Sequence, residues 1–137
     1  INIPDVKGKD SLFEAEMNRC KSNLDILTNL SIDKKCLFVM DEIFNSTNVV
    51  EGVAGSFAIL DKMGQYSNSC NVVTTHYIYL TKLIRYISLK MESVDYTFDY
   101  KLRTGISKQY LAIEMLKQKF PEDVITEALK IKKKLLV

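Results

Sequence analysis

Apolar residues recur at helical spacing in two stretches of the chain. Behind Ser11 and Glu14, which form an S-x-x-E capping box, this recurrence predicts an amphipathic helix that ends near Leu30. Its apolar positions, at steps of three and four, are Phe13, Met17, Cys20, Leu24 and Leu27. A second helix, which we expect Gly64 to stop, is indicated by Val50, Val53, Ala54, Phe57 and Leu60.

Two short runs on either side of the second helix are typical of strands. Residues 36–40 (CLFVM) are continuously apolar, which predicts a strand buried on both faces of a parallel sheet. Residues 71–75 (NVVTT) form the second run, which is rich in β-branched side chains. Strand, helix and strand in this order predict a βαβ unit of an α/β sheet.

After the second strand, apolar and polar residues begin to alternate, which predicts an antiparallel hairpin with one face in water. The apolar positions of its two arms are Ile87, Leu89 and Met91, and then Tyr96, Phe98, Tyr100 and Leu102. Two helices are predicted to follow, one near residues 108–118 and one from Pro121 to about Leu136. The second has proline at its first position, acidic residues in its first turn and lysines in its last, as the helix dipole favours.

The composition is that of a globular domain or a large part of one. Of the 137 residues, 47% are hydrophobic, and the net charge of +2 is too small to indicate nucleic-acid binding by itself. Cys20, Cys36 and Cys70 show no C-x-x-C spacing and two of them sit within apolar patterns, which predicts reduced core thiols in a reducing, intracellular compartment. No apolar stretch approaches the roughly 18 residues of a membrane span, so no membrane partner is expected. The chain begins at Ile1 without a methionine, so we expect a piece of a longer protein.

Two adjacent carboxylates, Asp41 and Glu42, directly follow the apolar run 36–40. In open α/β sheets, ligands bind beyond the carboxyl ends of the strands. There one carboxylate can hold Mg²⁺ on a nucleotide while the next orients or deprotonates a water molecule. The alternative is a polar pair that merely begins a loop.

His76, the single histidine of the chain, follows the second strand in the same way. A histidine at this edge can stabilise a γ-phosphate through a hydrogen bond, although a lone histidine is more often structural. Ser11 is a third candidate, because the free amides of a helix N-terminus bind phosphate. The alternative is that Ser11 only caps its helix. Parallel strands would bring Asp41, Glu42 and His76 to one crevice.

A phosphate-binding loop of the form G-x-x-x-x-G-K-[ST] does not occur in the sequence. The nearest approach is Gly8-Lys9, but Ile3 stands at the first glycine position and Asp10 follows the lysine. The chain therefore carries candidates for metal binding and water activation without the loop that wraps phosphates.

Four segments, in order, resemble the MutS family of DNA mismatch-recognition ATPases, which belong to the ABC-type ATPases. DSLFEAEM (10–17) is similar to the family's S-T-F-x-x-E-M, and LFVMDEI (37–43) is similar to its Walker B strand. TTHYIYLTKL (74–83) resembles T-H-Y-x-x-L-T-x-L, and PEDVITEA (121–128) resembles P-x-x-V-I-x-x-A. The resemblance covers the chain from about residue 8 onward.

The resemblance implies a role for each candidate residue. Asp41 would bind Mg²⁺, Glu42 would activate water, and His76 would be the switch histidine near the γ-phosphate. Ser11 would reach ATP held by a partner subunit, since the family's sites are composite across a dimer. The loop at residues 44–48 would lie at that interface, with three further candidates for nucleotide contact: Asn45, Ser46 and Thr47.

The sequence departs from the family's pattern in the loop. The mismatch-repair branch reads D-E-I-G-R-G-T-S where this chain reads DEIFNSTN. A divergent branch reads D-E-I-F-x-G-T-N, and Ser46 stands at the position of its glycine. Serine adopts a positive φ less readily than glycine, so we expect the loop to differ in conformation. Thr104 stands where the family often has proline.

The fold implied over residues 1–137 is the C-terminal part of a MutS-type ATPase domain. It is an α/β, partial ABC-type sheet with parallel central strands, an antiparallel hairpin and flanking helices. The full protein would be a Mg²⁺-dependent ATP hydrolase that couples ATP to conformational change on DNA, as a dimer of MutS-like subunits with DNA bound by upstream domains. The fragment alone is predicted to be inactive. Two alternatives are a non-catalytic dimerisation module and an ATPase of the SMC or recombination group, whose L-S-G-G-[QE] signature DSLFEAEM does not supply.

Overall fold

The computed structural model describes residues 12–94, 97–107 and 111–135. The chain divides into two compact units, residues 1–88 and residues 89–137. The described part of the first unit contains, in order, α1 (Leu12–Asn29), β1 (Cys36–Asp41), α2 (Val49–Met63), β2 (Ser69–Thr74) and a 3₁₀ helix (Ile78–Lys82). The described part of the second contains β3 (Leu89–Lys90), β4 (Ser93–Val94), β5 (Thr97–Phe98), β6 (Arg103–Thr104), α3 (Leu111–Lys117) and α4 (Glu122–Leu135).

The two strands of the first unit are parallel neighbours, as the strand–helix–strand order predicts. Their register runs from Cys36 opposite Ser69 to Asp41 opposite Thr74. β2 begins two residues earlier than predicted and ends at Thr74, which leaves Thr75 outside the strand. Because parallel strands end at the same edge of a sheet, the residues after Asp41 and after Thr74 lie side by side.

Burial of β1 on both faces, which the apolar run predicts, is wrong for the described residues. Phe38 and Met40 are buried in the core, whereas Leu37 and Val39 alternate with them and are exposed. Successive side chains of a strand point to opposite faces of the sheet. The core lies on one face only, where α1, α2 and the 3₁₀ helix contribute Cys20, Leu27, Leu60, Met63 and Leu80.

α2 forms where the apolar spacing predicts it and has a cap at each end. Asn48 precedes the helix, and its side-chain oxygen accepts a hydrogen bond of 3.0 Å from the backbone N–H of Glu51. This bond satisfies one of the amides that a helix start leaves without a partner. Gly64 is the C-terminal cap, as predicted, but its φ of −66° is right-handed, so no left-handed turn ends the helix.

The second unit contains the predicted antiparallel hairpin as two short ladders. β3 pairs with β6, with Leu89 opposite Thr104, and β4 pairs with β5, with Ser93 opposite Phe98. Tyr96 and its neighbour lie outside the described residues. α4 has acidic residues in its first turn and Lys132, Lys133 and Lys134 in its last, as predicted.

Three further findings concern the whole of the described chain. The three cysteines are free thiols; the predicted place in the core is confirmed for Cys20, whereas Cys36 is half-buried and the prediction is wrong for Cys70, which is exposed. No helix in the described ranges is long and apolar enough to cross a membrane. Ser11 of the predicted capping box falls outside those ranges, whereas Glu14 lies in the first turn of α1; residues 108–110 of the predicted helix 108–118 also fall outside.

Candidate active site

The carboxyl ends of β1 and β2 are joined by side-chain and backbone hydrogen bonds. Thr74 donates its hydroxyl hydrogen to Oδ1 of Asp41, its register partner across the two strands. The backbone N–H of Glu42 donates to the carbonyl oxygen of Thr74 over 3.1 Å, which extends the ladder by one residue. Asp41 and Glu42 are therefore fixed relative to the segment that leads to His76.

Glu42 and His76 face each other at this edge. Oε1 of Glu42 lies 3.6 Å from Nδ1 of His76, and both side chains are about half exposed. This distance is longer than a hydrogen bond, so the two side chains are neighbours without a direct hydrogen bond between these atoms. Oε2 of Glu42 accepts a 3.0 Å hydrogen bond from the Asn45 amide. The predicted convergence of Asp41, Glu42 and His76 at one edge is confirmed.

The loop after β1 has an unusual backbone. Glu42 has a φ of 45° and Phe44 a φ of 60°, both in the left-handed region that residues other than glycine seldom adopt. Ser46 is not among the residues with positive φ. This agrees with the lower tendency of serine to adopt a positive φ, and the expected difference between this loop and that of the family stays a prediction.

Buried hydrogen bonds hold this backbone from the side of the core. Ser56 of α2 donates to the carbonyl oxygen of Ile43 over 3.1 Å, and Tyr77 donates its hydroxyl hydrogen to the carbonyl oxygen of Phe44 over 2.9 Å. The Phe44 ring is buried and meets the Phe13 ring edge to face, with centroids 5.3 Å apart. Its side chain belongs to the core of the first unit, while Asn45 and Ser46 next to it are exposed.

A side-chain hydrogen bond also ties the loop to α1. The hydroxyl of Ser46 donates a 2.7 Å hydrogen bond to Oε2 of Glu16, a buried carboxylate 30 positions earlier in the chain. Thr47 is half-buried and Asn48 caps α2. The loop is therefore attached to α1, to α2 and to the segment after β2.

Comparison with known proteins assigns the family. Residues 3–136 match the family described as MutS domain V. The chain belongs to the MutS domain V family. This agrees with the resemblance that four of its segments indicate.

The relatives of this MutS domain V chain include proteins with two different names. The DNA mismatch repair protein MutS of Aquifex pyrophilus is 31% identical over 128 residues, which cover 87% of this chain and 15% of that protein. The endonuclease MutS2 of Leuconostoc mesenteroides subsp. mesenteroides is 33% identical over 127 residues, with coverage of 87% and 15%. The endonuclease MutS2 of Thermomicrobium roseum is 30% identical over 125 residues, with coverage of 86% and 15%. The chain thus spans about 15% of the length of these relatives.

The residues of this MutS domain V chain offer a fit for Mg²⁺ at one position. Asp41 is exposed at the end of β1, and a carboxylate oxygen is a ligand that Mg²⁺ prefers. Among the described residues, no group of three or more His, Cys, Asp and Glu is placed to enclose a metal ion. Mg²⁺ in nucleotide sites takes one or two carboxylates and completes its shell with phosphates and water, so Asp41 suits that use.

Sequence reasoning missed three residues that shape the site. The Thr74 hydroxyl orients the Asp41 carboxylate, the Glu16 carboxylate accepts a hydrogen bond from Ser46, and the Tyr77 hydroxyl donates to the Phe44 carbonyl oxygen. The sequence gives an indication for Glu16, because a carboxylate there lies among the apolar positions of the helix. The contacts of Thr74 and Tyr77 depend on strand register and on the path of the loop, which no local pattern specifies. Ser11, the remaining candidate, lies outside the described residues.

Proposed function

We propose that this chain supplies the metal-binding and water-activating part of the ATP site of a MutS-type ATPase. The observation that carries the proposal is the convergence of Asp41, Glu42 and His76 at the carboxyl edge of two parallel strands, with Glu42 and His76 3.6 Å apart. Ligands of open α/β sheets bind at this edge. Membership in the MutS domain V family supports nucleotide chemistry there.

Asp41 is the residue proposed to hold Mg²⁺. Its carboxylate is exposed, and the hydrogen bond from Thr74 to Oδ1 fixes its orientation at the end of β1. When bound there, the ion would neutralise negative charge on the phosphates. Thr74 therefore supports metal binding through Asp41 without being a ligand itself.

Glu42 and His76 are proposed to have separate roles in ATP hydrolysis. Glu42 is proposed to orient the attacking water and accept its proton, because its carboxylate is half exposed and faces the open edge. His76 is proposed to donate a hydrogen bond to the γ-phosphate, where negative charge accumulates. Phosphoryl transfer depends mainly on such positioning, and the hydrogen bond from Asn45 to Glu42 restricts the carboxylate to one orientation.

The whole protein is proposed to couple ATP binding and hydrolysis to conformational change on DNA, in mismatch recognition or a related DNA transaction. A relative named DNA mismatch repair protein MutS supports a DNA substrate, and a relative named endonuclease MutS2 supports a nucleic-acid substrate. We propose a second MutS-like subunit as partner, with Ser11, Asn45, Ser46 and Thr47 near the nucleotide of a composite site, and DNA contacts in regions beyond this chain. The three free thiols suit a reducing, intracellular compartment.

The chain by itself is proposed to have negligible ATPase activity. Its sequence contains no G-x-x-x-x-G-K-[ST] motif, and wrapping the phosphates is the larger part of phosphoryl-transfer catalysis. Turnover by the purified 137-residue chain that disappears on Glu42→Gln would contradict this proposal.

The test uses the full-length protein that contains this chain. Glu42→Gln is expected to lower kcat for ATP hydrolysis about 100-fold or more, since the amide cannot accept a proton, while ATP binding measured by equilibrium titration persists. Asp41→Asn is expected to abolish the Mg²⁺ dependence of binding. The control is Asp61→Asn, which changes a carboxylate paired with Arg85 in the same unit and is expected to leave kcat unchanged.

The non-catalytic alternative gives the opposite pattern in the same experiment. A dimerisation module would show ATP-dependent dimerisation without turnover, and Glu42→Gln would change neither. Equal loss of turnover in Asp61→Asn and Glu42→Gln would also contradict the proposed role, because it would indicate general damage to the first unit.

A further inference from the structure

Tyr77 connects the two segments that carry Glu42 and His76. Its hydroxyl donates a buried 2.9 Å hydrogen bond to the carbonyl oxygen of Phe44, two residues after Glu42. Its ring meets the imidazole of His76, its neighbour in the chain, with centroids 4.5 Å apart at an angle of 58°. One buried side chain therefore touches both the loop after β1 and the histidine after β2.

The left-handed conformation of the loop depends on the contact made by the Phe44 carbonyl oxygen. Glu42 and Phe44 both have positive φ, and such residues keep that conformation only when surrounding contacts impose it. Release of the Phe44 carbonyl would let the backbone relax toward ordinary φ values. The direction of the Glu42 side chain would change with it, because its own φ is one of the two left-handed angles.

Gly52 of α2 makes the contact between Tyr77 and Phe44 possible. A Cβ atom at this position would lie 2.7 Å from the Tyr77 hydroxyl oxygen and 2.8 Å from the Phe44 carbonyl oxygen. Both distances are shorter than such contacts allow, so any side chain at residue 52 would push the hydroxyl and the carbonyl apart. Gly52 thus leaves room in α2 for the hydrogen bond between Tyr77 and Phe44.

The Tyr77 hydroxyl is a donor throughout the neutral range. Burial raises the pKa of Tyr77 above its ordinary 10.0, and the negative charges of Glu16 and Glu42 raise that pKa further. The protonated hydroxyl has one hydrogen to donate, and the Phe44 carbonyl receives it. The contact therefore does not change with protonation of Tyr77 in the neutral range.

We propose that Tyr77 is a positioning residue, which keeps Glu42 and His76 aligned by holding the Phe44 carbonyl through its hydroxyl while its ring supports the imidazole. This inference rests on the proposed ATPase function of Glu42 and His76. Tyr77 is buried away from the open edge, so it acts through its neighbours and not on the nucleotide.

The first test is Tyr77→Phe in the full-length protein, which removes the hydroxyl and keeps the ring. We expect kcat for ATP hydrolysis to fall about tenfold, while KM for ATP changes less than about twofold, because the loss misplaces Glu42 without removing a nucleotide contact. Tyr86→Phe is the matched control. Tyr86 also donates its hydroxyl to a backbone carbonyl, that of Leu60 over 3.0 Å, but away from the site, and its removal is expected to leave kcat unchanged.

A double-mutant cycle separates alignment from general damage. In a Glu42→Gln background, adding Tyr77→Phe is expected to cause no further loss of single-turnover rate, because the carboxylate that Tyr77 aligns is already gone. Losses that multiply in this combination would overturn the positioning role, and so would an equal loss of kcat in Tyr86→Phe.

Different results would refute the proposed function and the positioning role of Tyr77. Wild-type turnover that survives Glu42→Gln would refute the proposed function. Turnover that requires Glu42 but is unaffected by Tyr77→Phe would refute the positioning role alone.

Discussion

Ser46 donates a 2.7 Å hydrogen bond to the carboxylate of Glu16, which joins the loop after β1 to α1. Glu16 is buried, and a buried carboxylate that loses a donor keeps its desolvation cost without compensation. We expect Ser46→Ala to lower the free energy of unfolding by about 1.5–3 kcal/mol, the range for hydrogen bonds to charged groups. Urea unfolding of the chain measures this change.

The control for Ser46→Ala is Ser22→Ala on α1. The Ser22 hydroxyl donates to the carbonyl oxygen of Asn18 on the exposed surface, and alanine has the higher helix propensity. Ser22→Ala should therefore change the free energy of unfolding by less than about 0.5 kcal/mol. Similar values for the two variants would mean that the contact with Glu16 contributes no more than an exposed hydrogen bond.

The core of the first unit is expected to respond to a cavity at Leu60. This side chain is 1% exposed, between the helices and β1. Leu60→Ala should lower the free energy of unfolding by about 2–5 kcal/mol, because the lost contacts are not refilled. Ile84→Ala, at a position 88% exposed, should change it by less than about 0.5 kcal/mol. Thermal unfolding of the two variants side by side checks the contrast, and equal effects would show that this core is not packed as described.

Stability should depend on alkaline pH through Cys20. Burial raises the pKa of this thiol from 9.0 to about 11, and the charge of Glu16 adds to the shift. Between these values the unfolded chain has lost the thiol proton and the folded chain has kept it, so the unfolded state is favoured as pH rises. The contribution of Cys20 is therefore complete below pH 9.0 and is lost by about pH 11.

The measurement is urea unfolding of the wild type and Cys20→Ala across this pH range. The stability advantage of the wild type should shrink as pH rises, whereas the ionisation of tyrosines affects both proteins alike. Cys70→Ala is the control, since Cys70 is exposed, and its difference from the wild type should stay constant. A constant difference for Cys20→Ala would show that its thiol does not remain protonated in the folded state.

The hydrogen bond from Thr74 to Asp41 is expected to matter for metal use in the full-length protein. Thr74→Val keeps the shape of the side chain and removes the donor to Oδ1. We expect the Mg²⁺ concentration for half-maximal ATP turnover to rise about tenfold or more, the usual effect of removing a group that orients a metal ligand. Thr81→Val removes a hydroxyl bonded to the Ile78 carbonyl instead and should leave the Mg²⁺ dependence unchanged. An unaltered Mg²⁺ dependence in Thr74→Val would argue against Asp41 as the ligand.

The sequence was sufficient to predict the edge at which the candidate residues meet. Strand, helix and strand in this order are typical of a parallel α/β sheet, so residues after both strands are expected to share an edge. Asp41, Glu42 and His76 could therefore be placed together before any distance was known. Their separations depend on side-chain conformations that the pattern does not specify.

Other features could not be predicted from local patterns. The apolar run 36–40 does not reveal which of its faces the described core covers, and Leu37 and Val39 are exposed. The left-handed backbone of Glu42 and Phe44 arises from hydrogen bonds donated by Ser56 and Tyr77. Those donors lie too far along the chain for any turn signature to include them.

The burial of Phe44 links the folding of the first unit to the position of Glu42, and therefore to turnover. The ring that packs against Phe13 belongs to the same residue whose carbonyl oxygen is held two positions after Glu42. Substitutions that repack the hydrophobic interior are therefore expected to move the carboxylate of Glu42, for which we propose water activation, as well. We expect substitutions at Phe13 or Phe44 to affect turnover and folding together, and thermostabilised versions chosen without an activity screen should often lose rate.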